Sequence, residues 1–468
     1  MKKLLFTKWY AKYLILLACI GVLLVVPLLR DDEAGWVGSD SYLNYRLAED
    51  PSMYDDLSFG GRFAAYEWGT PLVMSLAPNL LISVLPFVFG ILTFILVWLI
   101  IKKLYQNKKI EKLAMILFLL SPTFVYLFSF GNSLFIPTFF CVLAFYLFIQ
   151  DKHSWLSVPL ILVLPFFNII LLASLMICMF FYAFFQDKKK KNLFFILLVF
   201  GLIVSIAYYG FIFSQTGLPH QLDLNEGSWT TFLQKWIYDF GSEYGIGLFL
   251  LTLSVIGMAY MWKKKYDSLF LFFSVLGLLI FSFFRMEVLI ILNIFLCVLG
   301  ASGIEFFLDK KRTGAVVYTL IIIICGVVFS GISQLDNLTE SVPTEGMVAA
   351  MDYLETREKG VVFSDYERGV YINYAGHKNF IDENYLFVQD AGERFEIANE
   401  LYYYRNLEDV ETVFDEYDIK YIWIDQEMKD ELWEYDTEGL LFILEYTRDF
   451  IKIYDKEGVE IWIKEDLD

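Results

Sequence analysis

Apolar residues run along the first 334 positions in blocks of near membrane-spanning length, separated by short polar connections. The blocks fall at about 13–29, 81–101, 113–129, 133–149, 193–213, 244–262, 268–284, 288–306 and 314–333. Each predicts a helix, because a helix satisfies its own backbone polar groups in lipid. The stretch 155–185 is too long for one helix and short for two full spans, and Pro165 and Asn168 break its middle. Lys152 precedes it and Lys188 to Lys191 follow it, so both ends belong on the same, cytoplasmic side and a pair of short or tilted helices is expected. The first block mimics a signal peptide, with Leu-Leu-Ala-Cys19 resembling a lipoprotein cleavage box. Its apolar run continues to Leu29 without a small-residue cleavage site, so it reads as an uncleaved anchor. The expectation is a polytopic α-helical membrane protein of about 11 transmembrane segments.

Beyond residue 334 the periodicity changes. Thr344 to Arg357 fits an amphipathic helix with Met347, Met351 and Leu354 on one face. Gly360 to Ser364, Tyr421 to Asp425 and Phe450 to Tyr454 read as strands, and Arg394 to Tyr404 and Asp409 to Glu416 as helices. Strands interleaved with helices predict an α/β domain, with Val459 to Ile463 closing a sheet edge as a hairpin partner. Two domains follow: residues 1–334, with a long first outer loop at 30–70, and residues 335–468.

Composition agrees with a membrane chain: 57% of residues are apolar and 20% charged, and mean hydropathy is +0.53. Net charge is −18, but it is divided unevenly. Residues 335–468 hold 12 basic and 35 acidic side chains, whereas residues 1–334 hold 25 basic and 20 acidic. The acidic tail argues against nucleic acid or anionic lipid as its partner and fits a solvated surface. Predicted cytoplasmic segments carry 20 Lys and Arg, against only Arg30, Arg46, Arg62, Lys235 and Arg285 outside. The positive-inside rule then sets a multi-pass plasma-membrane topology with the N-terminus cytoplasmic and the tail extracytoplasmic. Cys19, Cys141, Cys178, Cys297 and Cys325 all lie in apolar runs, which gives no disulfide framework or zinc spacing. Three histidines leave little for histidine-based chemistry.

Span interiors are nearly free of charge, which disfavours an ion-coupled transporter. The first outer loop is different. Asp31, Asp32, Glu33, Asp40, Glu49, Asp50, Asp55, Asp56 and Glu67 alternate with Trp36, Tyr42, Tyr45, Tyr54, Phe59, Phe63 and Trp68. Carboxylates beside aromatic faces suit sugar binding or a divalent cation, and they equally fit an acidic loop with interfacial aromatics. Ser39-Asp40-Ser41 is also a good helix-start signal, and Arg285 could pair locally with Glu287. In the fourth outer loop, Trp229, Phe232, Leu233, Trp236, Ile237 and Phe240 at helical spacing predict an interfacial helix. Asn337-Leu-Thr339 is a formal glycosylation sequon close to the last span.

Gly38-Ser-Asp40-Ser-Tyr42-Leu-Asn-Tyr45-Arg46-Leu-Ala-Glu49 resembles the first-loop signature of GT-C glycosyltransferases, nearest to the catalytic subunit of oligosaccharyltransferase. Gly69-Thr-Pro71-Leu before the second span, Arg285 ahead of the helix ending Gly303-Ile-Glu305, and Phe363-Ser-Asp-Tyr-Glu-Arg-Gly369-Val-Tyr-Ile372 match further stretches of that family. The resemblance implies a GT-C-like membrane domain and transfer of a sugar from a polyprenyl-phosphate donor to an extracytoplasmic glycan, lipid or protein. It implies Asp40 as general base, Arg285 and Arg46 on the donor phosphate, and Tyr42, Tyr45, Glu67 and Trp68 on the acceptor or sugar. Asp40 and Asp32 would hold Mg2+ or Mn2+ if a metal is used. Two departures stand out. The family's Trp-Trp-Asp is here Asp365-Tyr366-Glu367, and the second outer loop, Ser129-Phe-Gly-Asn132-Ser133, lacks its expected acid. An oligosaccharyltransferase-like enzyme acting on protein, or a catalytically silent GT-C scaffold in envelope-glycan assembly, are the alternatives.

Overall fold

The computed structural model describes residues 21, 36–64, 68–105, 107–219, 245–262, 265–309, 314–435 and 437–464. The chain divides into two compact units. One comprises residues 1–30, 79–208 and 224–341, the other residues 31–78, 209–223 and 342–468. The first outer loop, which the sequence reading groups with the membrane part, therefore belongs to the same unit as the acidic tail.

In the first unit every predicted apolar block from 81 onward is helical. Among the described residues, Pro78–Leu104, Lys188–Thr216, Val288–Asp309 and Val316–Thr339 are long and apolar enough to cross a bilayer. Lys108–Leu119 and Pro122–Ser129 form a fifth, bent by 58°. Ser121 accepts the Phe124 N–H and Pro122 starts the second piece, so a cap and a proline explain the break. The 155–185 stretch is the expected pair of short helices, with Asn168 capping the second by accepting the Leu171 N–H at 2.9 Å. These helices place the chain in a membrane. The block at 13–29 and the helix expected around Trp229 lie outside the described residues.

The helix Val288–Asp309 is the centre of this unit, with 94% of its apolar window buried. It runs against Leu248–Met261 at a spacing that only small residues allow. A Cβ at Gly257 would land on the Leu299 carbonyl oxygen, and one at Gly303 on that of Leu253. Ser254 Oγ donates across the same seam to the Leu296 carbonyl at 2.8 Å. Membrane helices gain little from the hydrophobic effect between them, so close backbone approach and such bonds hold the pair.

The second unit holds a two-stranded hairpin, β1 (Tyr54–Asp55) with β2 (Arg62–Phe63), and a five-stranded sheet whose strands lie side by side in the order 378–379, 361–363, 419–425, 459–464 and 450–456. β3 (Val361–Phe363), β4 (Lys378–Asn379) and β5 (Ile419–Asp425) are parallel, while β6 (Phe450–Lys456) and β7 (Val459–Lys464) add an antiparallel hairpin. The strands and helices expected in the tail all form. The hairpin is arranged differently from the expectation: β7 pairs with both β5 and β6, so β6 closes the edge. Trp423 on β5 is fully buried, and Met347, Met351 and Leu354 bury the helix Glu345–Glu355. β3 lies between β4 and β5 while the chain runs β3, β4, β5, so it changes direction at β3. The loops after β3 and β5 open on that switch point, where α/β sheets place their ligands.

Candidate functional site

Asp40 sits in the first turn of the helix Ser39–Glu49. Gly38, at φ 70°, is the N-cap and makes the sharp entry that a side chain would strain. Asp40 therefore does not cap the helix, although Ser39-Asp40-Ser41 does mark its start. A carboxylate at this position is favoured by the helix dipole. Tyr42, 2% exposed, is enclosed by rings: Trp36 at 5.3 Å, Tyr371 at 5.0 Å and Tyr374 at 4.9 Å between centroids. Its hydroxyl accepts the Trp36 N–H at 3.0 Å. Tyr45 lies tilted against Trp36, with ring centroids 4.4 Å apart, and donates to Glu49 at 2.6 Å. Both tyrosines expected to bind sugar are thus engaged in docking the loop to the helix Gly369–Tyr374.

A second set of bonds joins the loop to the turn that follows β4. Ser58 Oγ donates to Asp382 at 2.5 Å, and Asn379 Oδ1 accepts the Phe59 N–H at 2.7 Å. The Asn379 N–H donates to the Leu57 carbonyl at 3.1 Å, and Arg62 Nη1 to the Asn384 carbonyl at 2.6 Å. Phe59 is held at φ 52° and is 2% exposed beneath the Arg394 guanidinium. At the far end of this turn Glu383 accepts the Ser39 hydroxyl, at 3.2 and 3.4 Å. Desolvation and then the Asp40 charge push the Glu383 carboxyl above the ordinary carboxylate range. Glu383 itself is exposed.

The loop after β3 supplies the rest. Asp365 accepts the Glu367 N–H at 3.0 Å, and burial, with Glu367 and Asp425 nearby, pushes its carboxyl up to about 6. Arg368 ties this loop to the one after β5, donating to Asp425 at 2.6 Å and to Glu427, with Glu367 at 3.4 Å. Asp425 also caps the helix Gln426–Leu432 through the Met428 N–H. Tyr366 and Tyr371 are raised by burial and by the surrounding carboxylates, with Tyr42 also acting on Tyr371. The arrangement is a cluster of carboxyl and phenol groups, a donor and acceptor set suited to hydroxyl-bearing ligands.

The other expected site residues fall as follows. Arg46 engages Asp55 through both terminal nitrogens, each at 2.6 Å, so its fork is already filled. Trp68 is part-buried, with its indole N–H unpartnered. Asp32 and Glu67 lie outside the described residues. Arg285, in the first unit between the helices Lys265–Ser282 and Val288–Asp309, is exposed, and among the described residues neither Glu287 nor any other acid pairs with it. No group of three or more His, Cys, Asp or Glu side chains assembles among the described residues to hold a metal ion. The described carboxylates do not by themselves make up a metal centre. Glu383, Asp382, Asn379 and the Arg368–Asp425 pair escaped the sequence reading; the only signal was the polar run Asp382-Glu383-Asn384 after an apolar pair.

The Arg46–Asp55 pair carries a pH prediction. Burial would raise the Asp55 carboxyl, but the Arg46 hydrogen bonds and charge, the Arg62 charge and the Leu57 N–H outweigh it and hold it at about 2. A folded pKa below the unfolded value of about 4 stabilises fully above that pH and is lost as pH falls through 2. The contribution is about 2 kcal/mol. Asp55→Asn, read by thermal melting between pH 2 and pH 7, is expected to lower stability at neutral pH and flatten the acid limb between about pH 4 and pH 2.

The fold is similar to those of three solved glycosyltransferases. Among solved structures, oligosaccharyltransferase AglB from Archaeoglobus fulgidus, in complex with an inhibitory peptide and a dolichol-phosphate, superposes with a TM-score of 0.62 at 14% identity, over 98% of this chain and 75% of that one. ArnT from Cupriavidus metallidurans bound to undecaprenyl phosphate gives 0.53 at 10% identity, over 96% and 97%. The mycobacterial arabinofuranosyltransferase AftD gives 0.56 at 11% identity, over 97% of this chain and 41% of that one. No protein-family model matches the sequence, and no characterised protein is similar to it by sequence alone.

Proposed function

We propose that the protein is an integral membrane glycosyltransferase that moves a sugar from a polyprenyl-phosphate donor to an acceptor hydroxyl outside the cytoplasm. The observation that carries the reading is the placement of Asp40: a first-loop carboxylate held against the tail beside Glu383, next to a cluster of carboxyl and phenol groups. The polyprenyl and dolichol phosphates bound by the structurally similar ArnT and AglB support a lipid-linked donor. In the proposed reaction the acceptor oxygen bonds to the anomeric carbon as Asp40 takes its proton. The carbon–oxygen bond to phosphate breaks, and the phosphate leaves with the electron pair. In-line attack inverts the anomeric centre. Arg285, exposed ahead of the helix Val288–Asp309, is the residue that the family resemblance assigns to the donor phosphate, whose leaving charge a guanidinium would neutralise. Arg46, closed on Asp55, holds the loop. The tail lies outside and the N-terminus inside, as the lysine distribution requires.

Asp365-Tyr366-Glu367 in place of Trp-Trp-Asp favours a glycan or lipid acceptor over a protein sequon. The test is transfer from a radiolabelled polyprenyl-phosphate sugar pool by purified protein. Arg285→Gln is expected to lower kcat/KM for the donor by about 10²-fold, with partial recovery in Arg285→Lys. Wild-type protein inert toward every carrier would sink the enzymatic reading and favour a scaffold.

A further inference from the structure

Asp382 has no role in the reaction just described, yet it is fully buried and accepts hydrogen bonds at both oxygens. It is 0% exposed, and a charge so placed is tolerable only when its oxygens are fully hydrogen-bonded. They are: Oδ2 accepts Ser58 Oγ at 2.5 Å and Asn379 Nδ2 at 2.9 Å, and Oδ1 accepts the Asn384 N–H at 2.7 Å. Two of these donors belong to its own turn, and the third comes from the first loop. Asn379, fixed by Asp382, in turn grips the backbone on both sides of Ser58.

The helix Gly369–Tyr374 is laid directly on this turn. A Cβ at Gly369 would stand 2.6 Å from Asp382 Cβ and 2.8 Å from Asn379 Nδ2, and would also strike the Ile381 carbonyl oxygen. That helix carries Tyr371 and Tyr374, which enclose Tyr42, two residues beyond Asp40. The residue after Asp382 is Glu383, which accepts from Ser39, the residue before Asp40. The loop segment bearing Asp40 is thus held on both sides by elements that meet at Asp382.

We propose that Asp382 is a positioning residue of the transfer reaction: its bond to Ser58 fixes the first loop in the register that sets Asp40 beside Glu383. The proposal rests on the enzymatic reading above. A carboxylate suits the role because it only accepts, and all three groups facing it donate. An amide would turn one NH2 hydrogen toward a donor and lose that bond.

The full-length protein in lipid nanodiscs, with a radiolabelled polyprenyl-phosphate sugar, provides the test. Asp382→Asn and, from the other side of the same bond, Ser58→Ala are each expected to lower kcat by about 10²-fold, the cost of a misplaced reacting group. Donor KM should stay within about twofold. Amide exchange should quicken over residues 57–63 and stay unchanged in β5. Wild-type kcat in a variant whose 57–63 exchange has risen would overturn the proposal. So would exchange rising equally in β5, which would make Asp382 a structural residue only. A silent wild type is a different failure: the enzymatic reading falls and takes the positioning role with it, whereas an active wild type with active variants removes the positioning role alone.

Discussion

Asp40→Asn is expected to reduce sugar transfer to background, a loss on the order of 10³-fold, while the protein stays folded and membrane-inserted. The substitution is nearly isosteric. The helix start survives because Gly38, not Asp40, holds the N-cap position. Tyr42 remains enclosed by Trp36, Tyr371 and Tyr374, so the loop keeps its seat on the tail. What the amide cannot do is accept the acceptor proton. Transfer assays on matched preparations, with circular dichroism and gel filtration as controls on the fold, make the comparison. Turnover within a few-fold of wild type would remove Asp40 from the reaction.

Gly257→Val should have the largest effect on stability. Its Cβ would occupy the position of the Leu299 carbonyl oxygen and approach the Gly303 N–H at 2.8 Å, and backbone atoms on a buried helix cannot swing aside. The helices Leu248–Met261 and Val288–Asp309 would have to separate, breaking the Ser254–Leu296 bond and opening the packing around the most buried span. A cost of about 3 kcal/mol or more is expected. It should appear as a fall in melting temperature and in the yield of monodisperse protein. Gly210→Ala is the control, since its Cβ would meet nothing within 4 Å. A Gly257→Val protein that melts with wild type would mean that the helix seam is looser than described.

Much of this was legible in the residues. Length and hydropathy located the membrane helices, and Pro165 with Asn168 forecast the broken pair at 155–185, since one is a poor helix continuer and the other a good cap. The tail strands were found by their runs of Ile, Val, Tyr and Trp. Their order was not, because the pattern of Val459 to Ile463 suits a strand with one partner as well as one with two. Asp40 stood out by its setting in a local signature. Its neighbours did not, for a physical reason. Asp382 and Glu383 lie in an irregular turn without periodicity, and their partners Ser58 and Ser39 are distant in sequence. Arg46 looked like a phosphate ligand because the β1 (Tyr54–Asp55) and β2 (Arg62–Phe63) hairpin that carries Asp55 back to it has only two residues per strand. So short a pairing leaves no trace in the hydrophobic pattern.

The bond between Ser58 and Asp382 spans 324 positions of chain. At ribosomal speeds of about 5–20 residues per second, roughly 16 to 65 s separate the synthesis of its two ends. Throughout that interval the surface that will cover Phe59 and Tyr42 does not yet exist. The nascent protein therefore crosses the membrane many times before its candidate catalytic carboxylate has a fixed address. That address is set only when residues 379–384 emerge and bond to the loop. Chains stalled before that point leave Phe59 and Tyr42 without the tail residues that cover them.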